Sequence, residues 1–456
     1  MHREFPWPDS VARDLGQIEQ LEITDLGEWL RREQLRGRND SAIHLVMALA
    51  SARYVDHHGP FIGHGTFNGG PMLRAASILT RPFRNLALLQ TAAYVVDLLH
   101  QPNYGPYLLM DMEPITEATR AASRDQLRMS IESGEQPLLA EHRLVGLLKT
   151  DSRPHVRRLL TEVALRQFHE NEHRLLIVHR AAQLMDDTNG WTWAEPLFRA
   201  AVQYLASRPD VRPSEMAKRD LVPLDMAESS CQIVRIESAV DALIHANYGD
   251  EPHLLRAMVG LPRVEVIALT GAEMLRRSRF DAHAVTGIHC AVDLLHDPTI
   301  EPHTQTLAME AALLGQRTRR QKEQRSTWRS AQRPRPKGRS LDELQDIVVH
   351  DGSGLAAMDA VAGMLLAGAE ATDITRTLME VALTHAGPFE AIHNVKMLLG
   401  QLLETQRSRY PELAWRHLAA GARVVAEVAA QDCAGADPIL SLWHNSHLSV
   451  PDEPSR

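Results

Sequence analysis

The chain has 456 residues, 44% of them hydrophobic and 23% charged, with 49 basic and 58 acidic side chains and a formal charge of −9. That balance permits a buried core and excludes a chain disordered throughout. The acidic excess argues against nucleic acid or an anionic membrane as a partner for the whole surface.

Three isolated cysteines, Cys231, Cys290 and Cys433, form no CxxC pair, which excludes a zinc ribbon, an iron–sulfur cluster and a disulfide scaffold. The first residues, MHREFPWPDSVARDLG, carry no apolar core behind basic residues, and no apolar run is long enough to span a bilayer. A cytoplasmic protein is the expectation. The 23 histidines exceed the ordinary share and are scattered through the chain, as suits metal binding or proton transfer.

Apolar residues recur at three and four, as in ITDLGEWLRREQL, VRRLLTEVALRQF and LFRAAVQYLA, while alternating β-branched runs are scarce. The chain therefore reads as all-α. Residues 1 to 40 form an N-terminal helical extension, 41 to 210 a first helical domain, and 230 to 314 with 341 to 430 a second. Glycine and proline punctuate it at 57 to 71, 101 to 106, 186 to 190, 207 to 215 and 246 to 252.

The first separator, HHGPFIGHGTFNGGP, reads as a glycine-rich loop carrying His57, His58 and His64, without the GxxxxGK of a phosphate loop. Next, AYVVDLLHQP sets Asp97 and His100 three apart on one helix face, where they could share a metal ion or cap a helix end. Tyr104, Trp191 and Trp193 are candidates for a pocket mouth. Glu162, His169 and His173 follow at seven and four on one helical stripe, with His179 beyond a turn and His142 on the preceding helix.

Carboxylates and imidazoles at related helix positions can converge on iron or manganese. Neither GxSxG, GxGxxG nor HExxH occurs in its expected context, and Cys290 beside His289 is a weak nucleophile–base signal.

Comparing the chain with itself suggests a duplication. DLLH recurs, placing Asp97 with Asp293 and His100 with His296 at an offset of 196, while EVAL pairs Glu162 with Glu380 at 218 and His179 pairs with His393 at 214. Four related helical units starting near 44, 142, 241 and 359 are expected, with residues 315 to 340 inserted between them. That insertion carries ten basic side chains against one acidic, Glu323, and reads as a linker or a contact for an acidic partner.

Residues 366 to 404, LAGAEATDITRTLMEVALTHAGPFEAIHNVKMLLGQLLE, resemble the helical core pattern of the carboxymuconolactone decarboxylase and alkylhydroperoxidase-D-like proteins. The resemblance covers under a tenth of the chain, lacks the redox CxxC, and carries no role onto His385 or His393.

The sequence thus leads to a nonhaem metal-dependent oxidoreductase acting on a small organic substrate. Iron is favoured, with manganese or zinc as alternatives, and an electron-donor protein is a possible partner. His57, His64 and Glu162 are the expected catalytic residues. The metal ligands would come from His57, His64, Asp97, His100, His142, Glu162, His169, His173 and His179. Cofactor-free acid–base catalysis and a helical repeat scaffold binding a protein or small molecule are the alternatives.

Overall fold

The computed structural model describes residues 3–53, 64–100, 108–168, 172–207, 209, 232–245, 258, 260–277, 282–322 and 334–449. Of the described residues 80% are helical. Among the described residues no strand forms, and one isolated bridge joins Glu4 to Met110. No described helix is long and apolar enough to cross a membrane.

Two compact units divide the chain: Met1–Pro213 with Asp437–Arg456, and Ser214–Ala436. The N-terminal segment thus belongs with the first unit.

The first unit runs α1 (Asp9–Glu19), α2 (Leu26–Leu35), α3 (Asp40–Arg53), α4 (His64–Ala76), α5 (Arg81–His100), α6 (Arg120–Ser133), α7 (Pro137–Thr150), α8 (Arg153–Arg166), α9 (His173–Thr188) and α10 (Ala194–Ser207). Its ends follow local chemistry. Thr119 Oγ1 accepts from the Ala122 amide at the start of α6, and Gly134 ends that helix at φ 63°. In DDTNG, Asn189 takes φ 52° to close α9.

The last residues return to this unit. Trp443 donates to the Pro82 carbonyl at 3.0 Å and Asn85 to that of Leu448 at 2.9 Å.

The second unit runs α11 (Gln232–His245), α12 (Arg263–Arg277), α13 (Ala282–His296), α14 (Pro302–Lys322), α15 (Leu341–His350), α16 (Leu355–Leu366), α17 (Ala371–Thr384), α18 (Pro388–Arg407) and the α19 helix (Pro411–Asn445), which enters the first unit at Asp437. A reciprocal capping box between Ser340 and Glu343 starts α15.

The sequence reading needs two corrections. The glycine-rich stretch expected as a loop is helical from His64 onward. A β-carbon on Gly70 would lie 3.2 Å from the Arg180 carbonyl and the Leu184 amide, so its glycine serves a close crossing of α4 on α9 rather than a turn. The basic insertion is helical to Lys322, and Lys337 donates to the Gly363 carbonyl at 2.9 Å, docking the 334–340 stretch on α16.

Among the described residues, part of the neighbour relations recurs in both units, while the packing of α10 on α3, α6, α7 and α9 belongs to the first. In the first, α3 packs on α1, α4 and α5, α4 on α5 and α9, α8 on α9, and α6 on α7 and α8. In the second, α12 packs on α11, α13 and α14, α13 on α14 and α18, α17 on α18, and α15 on α16 and α17. By position α4 answers to α13 and α5 to α14. The expected pairing of Asp97 with Asp293 joins α5 to α13 instead and does not fit these neighbours.

Candidate functional site

Each unit centres on two packed helices that carry a buried histidine: His64 on α4 and His179 on α9, then His289 on α13 and His393 on α18. Small residues make the approach possible. Gly69 and Gly70 face α9 in the first unit, and in the second a β-carbon on Gly400 would overlap the His289 ring.

In the first unit His64 meets His173, their ring centroids 4.8 Å apart, with Phe67 at 4.8 Å and Tyr94 edge-on at 6.0 Å from His64. His179 sits deeper. The Gln183 amide lies 3.1 Å from its Nε2, and Arg180 donates to Gln183 Oε1 at 2.5 Å, so the Gln183 nitrogen donates to His179 Nε2 and the ring's proton rests on Nδ1. His44 on α3 is fully buried, and burial lowers its pKa to about 4.

The other expected ligands stay apart. Asp97 and His100 are exposed at the end of α5, where His100 Nε2 hydrogen-bonds the Glu19 carbonyl at 3.1 Å. His142 Nδ1 donates to the Glu113 carbonyl at 2.6 Å, and Glu162 is half-buried on α8. Among the described residues no three His, Cys, Asp or Glu side chains group as metal ligands. The expected convergence of Asp97, His100, His142, Glu162, His173 and His179 on one metal is thus not found among the described residues, and backbone carbonyls hold His100 and His142 apart from it.

His57, His58, His169 and Tyr104 lie outside the described residues. The two tryptophans brace their turn: Trp191 donates to Asp186 at 2.7 Å and packs edge-on to Phe198, while Trp193 stacks on Trp7.

The second unit gathers residues that the sequence reading passed over as site residues. Glu404 on α18 is 4% exposed, with His296 Nε2 at 3.8 Å and Arg407 Nη1 at 3.4 Å. Burial pushes its carboxyl up, but His296, His289 and His417 outweigh that and hold it below the ordinary value. Burial lowers the His417 imidazole to about 4, against the pull of Glu404.

Beside them Glu273 on α12 binds Arg276 at 2.6 Å and Arg277 at 2.6 Å, with Arg416 at 3.5 Å. On α18, Asn394 and Gln401 are 0% exposed. None of their four side-chain polar atoms has a hydrogen-bond partner.

Two signals for these helices were present in the chain. Gly59-Pro60-Phe61 stands shortly before the start of α4 and Gly387-Pro388-Phe389 opens α18, both histidine-bearing helices, and Asn394 and Gln401 interrupt an apolar stretch at a spacing of seven. Compared with known protein families, with curated proteins and with solved structures, the chain matches none.

Proposed function

We propose that the protein is an enzyme acting on a small organic molecule at the α4–α9 crossing of the first unit, with His64 and His173 as its reactive pair. The observation that carries this reading is their meeting at 4.8 Å from separate helices, lined by Phe67 and Tyr94. Aromatic walls suit an organic substrate, and paired imidazoles suit a metal ion or a proton relay.

The chemistry we favour is a metal-dependent oxidoreductase in which His64 and His173 hold iron, or manganese or zinc in its place. The sequence supplies further imidazoles at His57 and His169, outside the described residues. When bound, the metal would supply the redox chemistry. The chain's own part is to fix the two rings and line the site with apolar side chains that exclude water.

The test is elemental analysis of untagged protein expressed with iron, manganese and zinc present, beside His64→Ala and His173→Ala. About one ion per chain, lost in either folded variant, is the expected result. A folded wild type with no metal under those conditions overturns the metal reading.

Cofactor-free acid–base catalysis is favoured by a separate observation, the tautomer lock of Gln183 and Arg180 on His179. Turnover that survives exhaustive demetallation and falls in His179→Gln would select it.

We also infer that the units descend from one duplicated ancestor. The shared neighbour pattern supports this, as do helix starts 218 residues apart at Arg153 and Ala371 and 221 apart at Arg81 and Pro302.

A further inference from the structure

His173 is the first residue of α9, and its ring meets His64 from a position that a helix by itself holds poorly. Terminal turns fray because their first amides find no acceptor within the helix. A side-chain cap often prevents this, but Glu172 at the N-cap of α9 makes no cap bond.

The close crossing of α4 on α9 does not reach that turn. Gly70 meets the Arg180 carbonyl and the Leu184 amide, and Arg180 stands seven residues beyond His173, about 10 Å along the helix axis. A second clamp lies further still. Arg74 donates to Asp187 at 2.7 and 3.0 Å and ties the other ends of the same two helices.

The start of α9 is anchored instead by the residue after His173. Arg174 is 9% exposed, and its Nη1 donates to the Tyr204 carbonyl at 2.6 Å and to the Leu205 carbonyl at 3.3 Å. Both carbonyls belong to the last turn of α10, where a helix runs out of amides to pair them. The guanidinium carbon also lies 4.7 Å from the centre of the Tyr204 ring. One side chain therefore caps the end of α10 and pins the start of α9 to it.

We propose that Arg174 is a positioning residue for the His64–His173 pair, holding the first turn of α9 on α10 so that the His173 ring stays against His64. This rests on the reading of that pair as the reactive one. It concerns only where the ring sits, so its test needs neither metal nor substrate. Arginine suits the task because one planar fork meets two carbonyls and an aromatic face together, whereas lysine brings a single point charge.

The test is proton cross-relaxation between imidazole rings in the full chain, perdeuterated except for its histidines. The wild type should give a His64–His173 cross-peak, assigned by its disappearance in His64→Ala and in His173→Ala. In Arg174→Gln the cross-peak should be lost while the chain stays folded, and in Arg174→Lys it should be weakened. Arg74→Ala breaks the clamp at the far end of the same helix pair and should keep the cross-peak, which separates positioning from a general loss of stability.

A wild type without the cross-peak overturns the proposal. So does a cross-peak that persists at full intensity in folded Arg174→Gln, or one lost equally in Arg74→Ala. If Arg174→Gln does not fold, Tyr204→Leu decides in its place, since it removes only the ring beneath the guanidinium: a weakened cross-peak supports the proposal and an unchanged one overturns it. Metal content and turnover judge the reaction separately. A pair that loses its cross-peak in Arg174→Gln, in a chain with neither metal nor turnover, keeps the positioning role and refutes the reactive reading of the pair.

Discussion

Arg199 is 1% exposed, and its guanidinium holds three elements of the first unit at once. It donates from Nε to Glu141 on α7 at 2.9 Å and from Nη1 to the Met110 carbonyl at 2.6 Å, with Glu195 one turn away at 3.7 Å. Arg199→Met should leave the Glu141 carboxylate buried without its cation and the Met110 carbonyl without its donor.

Breaking a buried ion pair from one side costs about 3–5 kcal/mol, whereas replacing both partners by apolar residues is close to neutral. We therefore expect Arg199→Met to destabilise the first unit by about 4 kcal/mol at pH 7. Glu141→Leu with Arg199→Met should recover more than half of that loss. Burial already lifts the Glu141 carboxyl above its ordinary value, so the penalty of Arg199→Met should shrink as pH falls and Glu141 takes a proton.

Urea unfolding followed by tryptophan fluorescence in a Trp328→Phe, Trp415→Phe background reads this unit, because the other five, Trp7, Trp29, Trp191, Trp193 and Trp443, belong to it. A double-mutant cycle with a coupling below about 0.5 kcal/mol would refute the reasoning, since independent sites add within that margin.

Identical glycine substitutions should have opposite signs. Gly400→Ala should destabilise by about 1–2 kcal/mol, because its β-carbon overlaps the His289 ring, while Gly16→Ala in α1, with nothing within 4 Å, should gain up to about 1 kcal/mol; chemical denaturation of each checks both. His44 and His417 are held near pKa 4 in the folded chain against 6.5 unfolded. The folded state then binds fewer protons, so stability is full above pH 6.5 and falls toward pH 4, by up to about 3 kcal/mol for each ring. A urea midpoint that stays flat over that window in the wild type, or keeps its full slope in His44→Leu, would contradict this. His100→Ala should cost about 1 kcal/mol or less and leave metal content unchanged, because the ring binds the Glu19 backbone at the end of α5.

Helix identity was legible because it is local: apolar residues spaced at three and four, with few β-branched runs to compete, admit one periodic solution. Punctuation was legible for the same reason. Asn189 in DDTNG closes α9, and the boundary between the units at Pro213 and Ser214 falls inside the separator SRPDVRPSE. The stretch around Gly69 and Gly70 misled because glycine has two uses. Its cost to a helix is a local property, while its gain in a close crossing depends on α9, more than 100 residues away.

The sites divide along the same line. Spacing placed His64 and His173 among the candidates, but only packing joined them, and packing equally dispersed His100 and His142 onto backbone partners. Nothing in the chain joins Glu404 on α18 to His289 and His296 on α13 and His417 on α19. The sequence by itself determined that this protein is helical and marked a few of the breaks between its helices. The tertiary structure alone decided which histidines lose water and which carboxylates face them, because desolvation and charge pairing depend on distances that no one-dimensional spacing contains.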